Sequence, residues 1–240
     1  KEHVLAVALA SLVVFAIVYQ LFFVTQRGTV VLKDDGFHPR VLTVREGDTV
    51  TFRSTLGKFF WPASDFHPTH TILPAFDPKG PVSPEVSWSF TFEKPGTYKY
   101  HDHLAAYYFG IIKVADENGV VPENCLEQGG EFECWQNEVF FALAERGVDA
   151  AYDTVSKLFN EAPGFGESCH GITHNIGLAS YQFYRSNPDF IFSPKAIVCA
   201  AGFYHGFMEG FLGSTGDIVG SARLCDEVDK RLGNESPQTS

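Results

Sequence analysis

The sequence predicts three parts in chain order: an N-terminal transmembrane helix, an all-β sandwich, and an all-α domain containing an antiparallel helix hairpin. Three observations predict it. Residues 4–24 are an uncharged apolar run, residues 28–115 are short apolar–polar alternations broken by turn residues, and beyond about residue 131 the apolar spacing turns helical. The expected division is an anchor at 1–27, a β-sandwich at 28–115, a linker at 116–131, a helical domain at 132–232 and a flexible tail at 233–240.

The run Val4 to Val24 has one main polar interruption, Gln20. At about 1.5 Å per residue it spans roughly 30 Å, the hydrocarbon thickness of a bilayer. It is long for a signal-peptide core, and no small-x-small pattern follows it before Gln26-Arg27, so a retained single-pass anchor is expected. Lys1 on one flank and Arg27 and Lys33 on the other do not by themselves fix its orientation.

Strand-like runs follow at Thr29–Leu32, Val41–Val44, Thr49–Phe52, Ser87–Phe92, Thr97–Tyr100 and Ile111–Val114. Asp35-Gly36, Glu46-Gly47 and Pro95-Gly96 punctuate them, the turn chemistry of an antiparallel sandwich. In the helical part, one helix is expected over about 168–186, stopped by Asn187-Pro188. A second begins at Ser193-Pro194, an N-cap followed by a first-turn proline, and runs to about 212. A short turn between them predicts antiparallel packing.

Charge and composition remove some functions. The 240 residues carry 18 Lys+Arg against 29 Asp+Glu, a net charge of -11, which excludes a phosphate-binding nucleic-acid partner. A hydrophobic content of 45% excludes a disordered chain. Seven of the nine His fall into three groups: His67/His70, His101/His103 and His170/His174/His205. All five Cys and the single Met lie at or beyond residue 125. That distribution points to metal chemistry in two places.

In the β part the residues carry a resemblance. Phe37-His38-Pro39-Arg40-Val41-Leu42-Thr43-Val44 and Gly47-Asp48-Thr49-Val50-Thr51-Phe52 resemble the opening of a cupredoxin. Phe92 to Tyr100 resembles the approach to that family's copper loop, and Gly110 to Val114 its close. The resemblance implies a Greek-key sandwich that holds copper at one end, outside the cytoplasm. It also exposes a departure. Blue copper needs a Cys thiolate, two His and usually a weak axial Met, and residues 28–115 contain neither Cys nor Met. Asp102 stands where the family's Cys would be.

What remains is His67-Pro68-Thr69-His70 and His101-Asp102-His103. These phrases resemble two of the copper motifs of multicopper oxidases, with Asp in place of Cys; the missing motifs argue against a trinuclear cluster. On a regular strand His101 and His103 share one face and Tyr98, Tyr100 and Asp102 the other. His67, His70, His101 and His103 are therefore the expected ligands of a first site. Imidazole-rich sites suit Cu(II) or Zn(II), and the resemblance favours copper. Asp102 is open between an oxygen ligand, an outer-shell partner of a His and a plain strand carboxylate. His38 reads as a surface residue, and Trp61, Trp88, Tyr107 and Tyr108 as pocket walls or core.

The helical part offers His170/His174 and His205/Glu209, both i, i+4 pairs and so each on one helix face. In an antiparallel hairpin His170 would oppose Glu209 and His174 would oppose His205. That cluster reads as a second metal site (Zn, Cu or Fe), as an acid–base group without metal, or as structural histidines. Gly171, Gly177, Gly202, Gly206 and Gly210 suggest close backbone approach or ligand access there. The same register puts Cys169 and Cys199 too far apart to bond. Cys125–Cys134 is then the expected bridge, with Cys225 able to reach either remaining Cys, and Cys169 a possible thiolate ligand beside His170.

The function expected is that of a membrane-anchored, extracytoplasmic metal-binding protein holding copper at a non-blue site. Its partners would be the membrane and an unidentified redox or membrane protein. The alternative is a copper-dependent oxidoreductase acting on a small molecule; a docking protein with structural metals is the third reading.

Overall fold

The computed structural model describes residues 28–65, 67–122, 131–187 and 189–235, and side chains up to 226. The expected anchor, Cys125 with most of the linker, and the tail beyond 235 lie outside the described residues. Among the described residues no helix is long and apolar enough to cross a membrane.

The strands are β1 (Thr29–Lys33), β2 (Gly36–His38), β3 (Val41–Arg45), β4 (Thr49–Ser54), β5 (Pro62–Ser64), β6 (Trp88–Thr91), β7 (Gly96–Asp102) and β8 (Ala105–Ala115). They form two four-stranded sheets, ordered β2-β1-β4-β6 and β3-β8-β7-β5. Alternate residues point inward, as on β1 (Val30, Leu32) and β4 (Val50, Phe52), and build the core between the sheets. The sheets are mixed, not purely antiparallel as expected, because β1–β4 and β3–β8 run parallel. The chain leaves the first sheet after β2, runs through β3 in the second, and re-enters beside β1. Such a crossover is what parallel neighbours require.

The second sheet is covered on both faces. On β8, Tyr108, Ile112 and Val114 join the core between the sheets, while Phe109 and Ile111 join a second core made largely by helices. β7 divides in the same way. Tyr98 and Tyr100 belong to the sandwich core, and Lys99 on the opposite face lies 4.2 Å from the ring centroid of Phe140 in the helical part. Tyr100 is in register with Gly110, and its ring fills the space a side chain at 110 would need.

The helices are α1 (Glu131–Arg146), α2 (Val148–Glu161), α3 (Phe165–Ser186), α4 (Val198–Thr215) and α5 (Ile218–Glu235). A 3-10 turn at Pro194–Ile197 precedes α4, and the Ser193 hydroxyl accepts from the Lys195 N–H as an N-cap. The expected antiparallel hairpin is not what forms. Cys169 meets Cys199, His174 meets Gly206, Gly177 meets Phe203 and Tyr181 meets Gly210, so the partner's number rises overall with the residue's own and the index difference stays near 30. A constant difference means α3 and α4 are parallel. The chain between Ser186 and Val198 makes this possible: even with Pro194–Ile197 wound as a 3-10 turn its reach is roughly 30 Å, enough to run back about 26 Å along α3 from Ser186 to Cys169.

Glycines allow the two backbones to touch. A Cβ at Gly177 would overlap the Phe203 carbonyl, and one at Gly206 would overlap the His174 carbonyl. Close approach accounts for Gly177, Gly202, Gly206 and Gly210, one of the two readings their number suggested, whereas Gly171 meets only the Phe132 ring at 3.8 Å. The parallel register also overturns the disulfide expectation. Cys169 and Cys199 are bonded, with Cα atoms 5.6 Å apart, inside the usual range. Cys169 is thus not a thiolate ligand. Cys134 is also disulfide-bonded, its expected partner Cys125 lies outside the described residues, and Cys225 is free and exposed.

Candidate metal centre

His101 sits at the end of β7, and a register shift at His101/Asp102 ends the regular pairing before His103. His103 is held in the following turn by its backbone N–H, which donates to the Trp61 carbonyl at 2.8 Å. His67 and His70 come from the loop after β5; β5 pairs antiparallel with β7, entering beside Asp102 and leaving with Ser64 opposite Tyr100 and Asp65 beside Lys99, and the loop residues His67 and His70 lie back against His101 and His103. The strand pairing thus brings residues more than thirty positions apart to one point.

The nitrogens of His67, His101 and His103 all lie within 4.8 Å of one another. His67 Nδ1 is 3.2 Å from His101 Nε2, and His70 Nε2 is 2.9 Å from His103 Nδ1. Two imidazole nitrogens on one tetrahedral metal, each about 2.0 Å from it, would be separated by about 3.3 Å. The arrangement therefore fits a metal ion held by His67, His101 and His103, with His70 adjoining through His103. All four expected first-site histidines are brought together.

Two carboxylates that sequence reading missed orient the buried rings. Asp65 Oδ1 lies 3.2 Å from His101 Nδ1, and Asp77 Oδ2 lies 2.8 Å from His70 Nδ1. Each carboxylate favours a proton on Nδ1, so Nε2 keeps its lone pair and faces the cluster. Trp61 completes the second support: its indole N–H donates to Asp77 Oδ1 at 2.8 Å, and its ring centroid lies 4.3 Å from that of His103. The signal available in sequence was modest: Asp65 stands two residues before His67, and Asp77 seven after His70.

The electrostatics suit neutral, metal-ready imidazoles. Burial lowers His101 to about 4, partly opposed by its bond to Asp65 and that carboxylate's charge. Burial also lowers His67 and His103, helped by neighbouring histidines. Asp65 would be raised by burial, but the Lys99 ammonium and His101 outweigh this and hold it well below the ordinary carboxylate value. Lys99 Nζ is 2.6 Å from Asp65 Oδ2, and both side chains are buried. Asp77 is held low in the same way: burial would raise it, and bonds from His70, the Lys79 backbone and Trp61 prevail.

Asp102 is neither a ligand nor a histidine partner in this arrangement. Its Oδ1 accepts the backbone N–H of Trp61 at 2.8 Å and of Leu104 at 3.2 Å, tying the strand end to β5. Burial raises it to about 6 despite those bonds. His38 behaves as a surface residue, bonded to Asp35 at 2.7 Å.

The four residues of the helical constellation also meet, but with partners exchanged by the parallel register. His170 pairs with His205 (ring centroids 5.3 Å apart) and His174 Nε2 lies 3.3 Å from Glu209 Oε2. His170 Nδ1 donates to the Cys199 carbonyl at 3.0 Å. These are two separate rungs. Among the described residues the only group of three or more side chains with ligand atoms within metal reach is His67, His101 and His103. The two constellations are nevertheless electrostatic neighbours, since the Glu209 carboxylate partly opposes the lowering of His67.

Beside the first site is a cavity of ≈ 70 Å³ between the sheet and the helices. His67, His101, Asp65 and Lys99 form its polar wall, Ala106, Phe109 and Phe140 part of its apolar wall, and α3 contributes Asn175, Leu178 and Ala179.

No family model matches the chain, and no curated protein matches it. Among solved structures it is similar to a mutant plastocyanin of fern, at 21% identity and a TM-score of 0.31, over 36% of this chain and 98% of that one. It is similar to a reduced amicyanin mutant at 25% identity and a TM-score of 0.31, over 36% and 79% of the two chains. A purple cupredoxin from Nitrosopumilus maritimus matches at 16% identity and a TM-score of 0.30, over 37% and 99%. The part at 28–115 is cupredoxin-like both in its sequence phrases and in its two-sheet architecture.

Proposed function

We propose that the chain is a copper-binding protein whose ion is held by His67, His101 and His103, with His70 as a fourth donor. The observation that carries this reading is the convergence of imidazole nitrogens at metal-sharing separations, with Nδ1 of His101 and of His70 each facing a carboxylate. Nitrogen-only donors exclude a blue centre, because the intense thiolate chemistry needs a sulfur that residues 28–115 lack. Bound copper would supply one-electron redox capacity. The protein's own contribution is to keep the ligands neutral, oriented and partly shielded from water.

Membrane anchorage through residues 1–27 and an extracytoplasmic location belong to the same proposal. The apolar run at 4–24 supports the first. The Cys169–Cys199 disulfide supports the second, since such bonds persist in oxidising compartments. A membrane or redox partner remains part of the reading.

A second reading, a copper-dependent oxidoreductase, is favoured by the cavity that His67 and His101 border. In it the His174–Glu209 pair of the helical constellation serves as an acid–base group, not as a second metal site. Titration of the metal-free full chain with Cu(II) tests the primary reading. One tightly bound equivalent, lost on combined His67→Ala and His101→Ala substitution, is expected; no uptake by the folded chain refutes it.

A further inference from the structure

The first metal site does not end at the sandwich. Asp65 Oδ2 accepts from Gln136 Nε2 of α1 at 2.7 Å, and Gln136 Oε1 accepts from Asn175 Nδ2 of α3 at 2.8 Å. With His101 Nδ1 on the other Asp65 oxygen, a continuous hydrogen-bonded line runs from α3 through α1 to a proposed copper ligand.

The direction of every bond in this line is fixed by chemistry. An ionised Asp65 can only accept, so Gln136 must turn its NH₂ towards it. The Gln136 oxygen then faces Asn175, which must donate. The other end is equally constrained: His101 must carry its proton on Nδ1, which leaves Nε2 free for a metal. Asp65, His101 and Gln136 are all almost wholly buried. Apolar side chains would cover this sheet face without the desolvation cost of a buried amide, so packing alone does not account for Gln136.

We propose that Gln136 and Asn175 are positioning residues of the copper centre, through which the helical half sets the tautomer and orientation of His101. The inference rests on the copper reading above and goes beyond it: the centre belongs to both halves of the chain. The role of the helices is then to hold the outer shell of the site, with α3 supplying one end of the line and α1 its middle. Asn137, next to Gln136 on the same helix, provides a built-in comparison. Its side-chain amide donates to the Thr97 carbonyl of β7 at 3.4 Å.

The test uses the full chain with Gln136→Leu, Asn175→Leu, the double variant and Asn137→Ala. Copper affinity is read by chelator competition and ligand geometry by paramagnetic resonance of Cu(II). Gln136→Leu is expected to weaken copper roughly 10–100-fold, the usual range for loss of an outer-shell partner, and to change the parallel hyperfine splitting. Asn175→Leu should act in the same direction but less, the double variant should resemble Gln136→Leu alone, and Asn137→Ala should leave both readouts unchanged. Wild-type affinity and spectrum in folded Gln136→Leu overturn the proposal, as does an equal effect of Asn137→Ala. If Gln136→Leu does not fold, Asn175→Leu decides by the same two readouts, with wild-type values for both overturning the proposal, and nitrogen NMR of the metal-free wild-type chain reads the tautomer separately. His101 as the Nδ1–H tautomer is expected, and the Nε2–H tautomer overturns the assignment. A wild-type chain that takes up no copper refutes the copper reading instead, a result separable from these.

Discussion

Glu133, in the first turn of α1, is fully buried. Burial, reinforced by the nearby Asp65 charge and only partly opposed by Lys99, raises it from 4.5 to about 7. Between these values the folded chain holds a proton that the unfolded chain has released, so stability falls as pH rises through this window. At about 1.4 kcal/mol per unit, the loss approaches roughly 3 kcal/mol once pH exceeds 7. Glu133→Gln removes the ionisation and keeps the shape. The variant should match wild type in urea unfolding near pH 4.5 and exceed it by about 3 kcal/mol at pH 8.5. At the second pH that corresponds to roughly 6–12 °C in Tm. A stability difference that does not change between the two pH values would refute the reasoning, because only a shifted ionisation makes the difference pH-dependent.

Further outcomes follow from the helix seam and the site. Gly206→Ala should destabilise by about 1–3 kcal/mol through overlap with the His174 carbonyl. Gly213→Ala, on the same helix with open space around it, should instead gain up to about 1 kcal/mol; denaturant titration of both variants checks the contrast. A non-reducing digest should link the peptides containing Cys169 and Cys199, and Cys225 should alkylate in the native chain. Replacing both bonded cysteines by Ser should cost about 2–4 kcal/mol, measured by unfolding under oxidising conditions. His101→Ala should abolish tight copper uptake, while His38→Ala, on the surface beside Asp35, should leave it unchanged in calorimetry.

Six of the eight strands were legible because each carries its own alternation between turn residues, signals that need no partner; β2 and β5, three residues each, are too short to show one. The histidine cluster was legible for a similar reason: H-P-x-H and H-D-H each bring two donors within a few residues. The helix pairing was not. His170/His174 and His205/Glu209 are both spaced by four, so the two pairs match level for level whether the helices run parallel or antiparallel. Only the connector could have decided, and its length allows either a short hairpin or a return along α3. The disulfide expectation failed with the register on which it depended. Asp65 and Gln136 were invisible for another reason. A carboxylate in a loop and an amide on a helix 71 positions later become partners only when α1 lies across the outer face of β7.

The central claim is that this cupredoxin-like body holds copper through imidazole nitrogens alone. Paramagnetic resonance and absorption of the Cu(II)-loaded full chain test it most directly. The account predicts one copper per chain, nitrogen superhyperfine structure from at least three imidazoles, and only weak d–d bands in the visible. An intense thiolate-to-copper band, or a spectrum unchanged when His67 and His101 are replaced together, would contradict it.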